Sequence, residues 1–238
     1  MKETIVFVHG MSHGAWCWEE SFIPYFEKIG YKCVALNLPG HEKPGSAKPI
    51  HHSLSEYVNA LAAVVDTLPE DPIIIGHSMG GMILQRYLGK GRCKKAILMS
   101  SVPPAGVLLP SLRILSQYPG AFKFLFQADL LGVFRQYPHL MFGAMEGSEH
   151  YAKLMCAESF WAYLHLLIPI GKIKKHMPIL VMGGTADELI SVREFEQTAS
   201  RYGAELILFE GGSHDLMLER SAKTYVDAIH SWITSQSA

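Results

Sequence analysis

The chain has 238 residues, 49% hydrophobic and 18% charged, with a formal net charge of -1 from 21 basic and 22 acidic side chains. That balance excludes disordered and fibrous classes and suits one α/β domain with an insertion, or at most two small domains. Near-neutral charge without long runs excludes an electrostatic footprint for nucleic acid, and no uncharged apolar run reaches the ~18 residues of a membrane-spanning helix.

In chain order, Met1-Lys2-Glu3-Thr4 runs straight into a strand at 4–8, with nothing in the form of a signal or transit segment. Trp18, Phe22, Tyr25, Phe26 and Ile29 then fall on one helical stripe, stopped by Gly30. A strand at 32–38 places Cys33 as a buried thiol. Ser53-Leu54-Ser55-Glu56 is a capping-box pattern opening a helix. The inner face of that helix carries Leu54, Tyr57, Val58, Leu61, Val64, Val65 and Leu68. Strands follow at 72–76 and 95–100, separated by a helical pattern at 82–88. Beyond them come a strand at 179–183, a second capping box at Ser191-Val192-Arg193-Glu194 with its helix ending near Gly203, and a strand at 205–210. A last helix, from about 219 to 233, offers Tyr225, Val226, Ile229 and Trp232 to the core. The strand runs are rich in Ile, Val and Leu and lack polar alternation, as strands buried on both faces of a parallel sheet do. Strands alternating with helices imply right-handed βαβ units and a doubly wound, mostly parallel six-stranded α/β sheet.

The stretch 103–176 breaks this rhythm. It holds no clear strand, opens with Pro103-Pro104, is followed by Pro178, and is dense in Leu, Phe and Met. At roughly 70 residues it is too long for an ordinary crossover, so it predicts a helical cap inserted into a core formed by 1–102 and 177–238. Lys172, Lys174 and Lys175, the densest basic group, suit a solvated linker face.

The chemistry concentrates in Gly76-His77-Ser78-Met79-Gly80-Gly81, between the strand Ile73-Ile74-Ile75 and a helix. A strand–turn–helix of the form Gly-x-Ser-x-Gly is a nucleophile elbow: the glycines let the backbone pass closely and take strained dihedrals, and Ser78 stands exposed at the helix N-terminus. A serine hydroxyl needs a base. Of the twelve histidines, His214 in Gly211-Gly212-Ser213-His214 follows the last strand at the carboxyl edge, where reacting groups gather. His9 and His77 suit backbone bracing, His51 and His52 a solvated loop, and His139, His150 and His165 belong to the cap. Asp187, after the strand 179–183, is the carboxylate that would orient His214, with Glu188 and Asp215 as rivals. The order Ser78, Asp187, His214 is that of the elbow architecture. The backbone N–H groups of Met79 and Met11 are the candidate oxyanion donors. Gly10, His13, Trp16, Phe126 and Trp161 are candidate substrate contacts.

The set His9-Gly10, Gly76-His77-Ser78-Met79-Gly80, Asp187 and His214 resembles the α/β-hydrolase superfamily across essentially the whole chain. Within it, the opening from Val8 to Trp18 looks like the plant methylesterase and hydroxynitrile lyase branch, and Leu38-Pro39-Gly40-His41 like bacterial esterases and haloperoxidase-like hydrolases. The resemblance implies a serine esterase acting through an acyl-enzyme. Hydroxynitrile lyases of that branch carry a threonine where this chain has Gly10 and a lysine after the base, where this chain has Asp215. An aspartate there would repel developing cyanide charge, so both departures favour ester hydrolysis. A cofactor-free lyase or thioesterase using the same triad, and a small-ligand receptor on the same fold, are the alternatives. No metal or organic cofactor is expected. Cys17, Cys33, Cys93 and Cys156 are too irregularly spaced for a zinc site or disulfide framework, so they read as reduced thiols of a cytoplasmic protein. The expected partner is a small-molecule ester, with the chain a monomer or homodimer.

Overall fold

In the computed structural model, which describes residues 3–48, 50–171, 173 and 177–236, the Ile/Val/Leu-rich runs form strands β1 (Thr4–Val8), β2 (Lys32–Leu36), β3 (Ile73–His77), β4 (Lys95–Met99), β5 (Ile179–Gly184) and β6 (Glu205–Phe209). Met1, Lys2, the basic group Lys172, Lys174 and Lys175, and the boundary residue His176 lie outside the described residues. The sheet order is β2-β1-β3-β4-β5-β6, with every neighbouring pair parallel. The chain winds from β1 to β2, then returns to the other side of β1 with β3. The loops after β1 and β3 therefore diverge from a switch point, where α/β sheets open a crevice.

The helices are α1 (Trp16–Glu19), α2 (Phe22–Lys28), α3 (Leu54–Asp66), α4 (Met79–Tyr87), α5 (Leu108–Gln117), α6 (Phe122–Phe126), α7 (Leu130–Gln136), α8 (His139–Phe142), α9 (Ser148–Leu154), α10 (Phe160–Leu166), α11 (Val192–Tyr202) and α12 (Ala222–Ser235). Side chains of a strand alternate between faces. Val6, Val8, Ile74, Leu98 and Val181 pack with α3, α4, α10 and α11 on one face. Ile5, Phe7, Ile75, Ile97 and Met182 pack with α1, α2 and α12 on the other. The central strands β3, β4 and β5 are buried throughout, whereas β2 and β6 have one open edge and are partly exposed. Cys33 is accordingly half-buried rather than sealed.

The predicted stripe from Trp18 to Ile29 is two helices, not one, interrupted at Glu20–Ser21. Pro24 explains the break: inside a continuous helix its ring would clash with the carbonyl of residue 20, whereas in the first turn of α2 its missing N–H is not needed. Gly30 ends α2 at φ +96°. The capping box of α3 is reciprocal: Ser53 N–H donates to the Glu56 carboxylate at 2.8 Å, and Glu56 N–H donates to Ser53 Oγ at 3.3 Å. The final helix starts later than predicted, at Ala222, because Glu219 is extended (ψ 155°) after a 3-10 turn at 216–218. Between β4 and β5 the described elements are all helical, α5 to α10 with a 3-10 turn at Pro119–Ala121. Among the described residues no helix is long and apolar enough to cross a membrane.

Candidate active site

Ser78 follows β3 and begins α4, with φ +51° and ψ −117°. A side chain in that conformation is strained and persists only where surroundings over-determine it. The strain expected at Gly76 and Gly80 falls on Ser78 instead, and neither glycine has positive φ. The glycines serve close approach instead. A Cβ on Gly80 would lie 2.3 Å from the Val8 carbonyl oxygen, and one on Gly76 would lie 2.6 Å from that of Gly80. Ser78 is locked on both sides, its N–H donating to Met99 O and its carbonyl accepting from Val102 N–H, both at 3.1 Å.

His214 reaches Ser78 from the loop after β6. The Ser78 hydroxyl donates to His214 Nε2 at 2.9 Å, and His214 Nδ1–H donates to Asp187 Oδ2 at 2.8 Å. Asp187 Oδ1 is held in turn by the N–H groups of Leu189 (2.8 Å) and Ile190 (2.9 Å). Burial disfavours a charged His214, but the Asp187 charge and hydrogen bond outweigh it, with Asp215 adding, so its pKa lies above the ordinary 6.5. The loop is braced by Glu219, whose carboxylate accepts the Ser213 N–H (2.6 Å) and hydroxyl (2.5 Å). The rival Glu188 turns away and accepts from the Tyr118 hydroxyl at 2.7 Å.

Ser78 and His214 open onto a cavity of about 110 Å³. Its walls are Met11, Met79, Val102, Val107, Pro110, Ile114, Leu115, Ala121, Leu125, Leu130, Val133, Phe134, Met141, Leu166, Leu189 and Ile190, with Ser111 and Tyr163 as further polar side chains. The Tyr163 hydroxyl donates to Ser111 Oγ at 2.9 Å. Met11 N–H has no acceptor among the described residues, and Met79 N–H belongs to the first turn of α4, where donors lack intrahelical partners.

The proposed substrate contacts Gly10, His13, Trp16, Phe126 and Trp161 do not line this cavity. Gly10 is a packing position, where an added Cβ would lie 2.8 Å from His77 Nδ1 and 2.9 Å from Ser78 Cβ. His13 is fully buried, donating from Nδ1 to Met11 O (2.8 Å) and from Nε2 to Asp215 Oδ2 (3.0 Å). Trp16 stacks on the far side of that pair, 5.2 Å from His13 and 6.3 Å from Tyr151 between ring centroids. Phe126 (88% exposed) and Trp161 (58%) project outward, while Leu125, Tyr163 and Leu166 on the same helices face the cavity. The missed walls of α5 carried a legible signal: Val107, Pro110, Ser111, Ile114 and Leu115 follow the i, i+3, i+4, i+7, i+8 spacing of one helical face.

Asp215 also sits differently from the sequence reading. Although next to His214, it is buried outside the cavity walls, paired with His13 and 3.4 Å from His77 Nε2. Burial raises its pKa, but the charge and hydrogen bond of His13, with His77 and His214 adding, together keep the carboxyl below its ordinary value. Its charge is thus partly balanced by His13, and the repulsion of a cavity anion inferred from its position is weakened accordingly. His77 stays neutral, pushed down to about 3 chiefly by burial, and its Nε2–H donates to the His214 carbonyl at 3.1 Å. His77, His214 and Asp215 are close enough to be considered as metal ligands, but both His214 ring nitrogens are engaged by Ser78 and Asp187, and Asp215 Oδ2 is taken by His13.

The chain belongs to the alpha/beta hydrolase family, whose pattern matches residues 5–228. It is similar to Methylesterase 2 of Arabidopsis thaliana, 34% identical over 93 residues, 37% of this chain and 35% of that protein. It is also similar to a non-heme chloroperoxidase of Streptomyces lividans, 33% identical over 110 residues, 43% of this chain and 38% of that protein. The chain thus spans little more than a third of the length of the curated relatives it matches. In fold it is similar to an esterase from Exiguobacterium antarcticum, with a TM-score of 0.79 at 18% identity over 98% of this chain and 92% of that one.

Proposed function

We propose that this chain is a serine hydrolase that cleaves carboxylic esters of small to medium apolar substrates through an acyl-enzyme. The observation that carries the reading is the hydrogen-bonded line Asp187–His214–Ser78 opening onto an apolar cavity beside a Met11 N–H that has no acceptor among the described residues. His214 takes the Ser78 proton as the hydroxyl oxygen attacks the ester carbonyl, and Asp187 stabilises the imidazolium that forms. The oxyanion lies between the N–H groups of Met11 and Met79. Collapse releases the alcohol with the proton from His214. A water, activated by the same base, then releases the acid.

Helices α5 to α10 act in this reading as the cap, with α5, α6 and α7 forming the apolar wall that selects the acyl or alcohol group by volume. The similarity to methylesterases supports an ester as the substrate class. The cyanohydrin-splitting alternative is less favoured, because the space beside Gly10 is filled by His77 and Ser78 and leaves no room for a threonine side chain without a shift. The test is Ser78→Ala on short p-nitrophenyl esters, with fluorophosphonate labelling of the unaltered protein. Turnover is expected to vanish, and the label to appear on Ser78. Turnover at the unaltered rate would reject the assignment.

A further inference from the structure

The loop carrying Met11 is held by a buried polar group outside the triad. Ser12, the next residue, adopts φ +61°, a conformation that a side chain rarely takes. The connection between α9 and α10 grips it from both sides. Cys156 N–H donates to Ser12 O at 2.9 Å, and Ser12 N–H donates to Glu158 Oε2 at 3.1 Å.

Glu158 is buried, and four donors converge on it. Oε2 accepts from Ser12 N–H and from His41 Nε2–H at 3.1 Å; Oε1 accepts from the Tyr57 hydroxyl at 3.0 Å and from Ser159 N–H at 2.7 Å. Its two oxygens offer acceptor sites for all four partners. The other nitrogen of His41, Nδ1, faces the Pro39 carbonyl at 3.3 Å, so both ring nitrogens meet acceptors, an arrangement that favours the protonated ring. The pair is fully shielded from solvent.

The peptide joining Met11 and Ser12 is therefore held at both ends by buried side chains. Its N–H goes to Glu158, and its C=O accepts from His13 Nδ1. On the preceding peptide, the Gly10 carbonyl accepts from His9 Nδ1 at 2.8 Å, and the Met11 N–H has no acceptor among the described residues. A hydrogen-bond donor aids an oxyanion only when its direction is set before reaction.

We propose that Glu158 is a positioning residue for the oxyanion loop: through Ser12 it fixes the Met11 peptide, and it ties the competence of that donor to the seating of the α9–α10 segment. The proposal rests on the ester-hydrolase reading above. The test compares Glu158→Gln, which keeps the reach but sets an amide NH2 against converging donors, with Glu158→Asp, which keeps the charge but shortens the reach. In the full chain, kcat and KM are measured on p-nitrophenyl acetate, and active sites are counted by mass after complete fluorophosphonate labelling of Ser78. For both variants kcat per labelled site should fall about tenfold or more, towards the ~10²–10³-fold cost of losing one oxyanion donor, with KM nearly unchanged.

A purely structural role would instead lower Tm and the labelled fraction while leaving kcat per labelled site intact, and that result overturns the proposal. If the Gln variant fails to fold, the Asp variant decides by the same criterion. Failure of Ser78 to take the label in the unaltered protein would overturn the hydrolase reading itself. That outcome is distinct from normal labelling combined with unaffected Glu158 variants.

Discussion

Around the carboxyl edge of the sheet, the interior is polar. His13, His77, Asp215, His41, Glu158, Asp187 and His214 are all buried, and each holds at least one hydrogen-bond partner. Across the cavity, α5, α6 and α7 present Val107, Ile114, Leu125 and Val133 inward, while Leu108, Leu109, Leu112, Phe122 and Phe126 remain exposed outward. The two walls tolerate change differently. A buried charge that loses its partner is costly, and hydrogen bonds are directional, so the polar wall has few acceptable arrangements. Apolar contact is non-directional and scales with area, so the helical wall can change volume while the reacting groups stay in place.

The sharpest test of that contrast is Asp187→Asn. The carboxamide leaves His214 without its orienting charge, and kcat on a short ester should drop by about 10⁴-fold, read by steady-state kinetics. In the unaltered protein, His214 must be neutral to act as base. Because its pKa is raised, kcat/KM should fall as pH drops through a midpoint above 6.5. A midpoint below 6.5 would contradict the Asp187–His214 pairing.

Next in size is Asp215→Asn, which leaves His13 buried without its counter-charge and should cost about 3–5 kcal/mol in denaturant unfolding. The sign follows from both partners. Asp215, depressed from 3.8, contributes stability above that value and loses it as pH falls through its folded pKa. His13 is raised from 6.5 because Asp215 outweighs burial, so it contributes fully below that value and loses it as pH rises through its folded pKa. The gap between variant and parent should therefore be widest between 3.8 and 6.5. A flat gap across that range and beyond would deny the ion pair.

On the apolar wall, Val133→Phe fills cavity space without touching the triad. It should raise KM for longer-chain esters about tenfold or more, leaving the acetyl ester nearly unchanged, in a chain-length series. Equal losses across the series would show that the two walls are coupled. The smallest effect is expected at Phe126, which is 88% exposed. Phe126→Ser should change unfolding free energy by no more than about 0.5 kcal/mol and leave kcat as it was.

How far the sequence carried depended on whether the deciding interactions were local. The capping box at Ser53 and Glu56 joins residues three apart, and the elbow around Ser78 needs only its own glycines, a strand before it and a helix after it, so both were legible. Pro24 was also a local cue to the break between α1 and α2, and the apolar periodicity alone masked it. Phe126 and Trp161 illustrate the opposite case. In a helix apolar nearly all round, such as Phe122–Phe126, composition cannot say which side meets the cavity. One residue of offset turns a side chain by ~100°, and only packing against neighbours settles the register.

By itself, then, the sequence determined the strand and helix alternation, the elbow, and the chain order of Ser78, Asp187 and His214, because short-range sterics, capping and hydrophobic period act between near neighbours. Tertiary structure alone decided the strain at Ser78, the outward turn of Phe126 and Trp161, and the pairings His13–Asp215 and His41–Glu158. Those partners stand 202 and 117 positions apart. Nothing local in either half of such a pair specifies the other; burial brings them together, and the cost of leaving a charge unpaired in a dry interior holds them there.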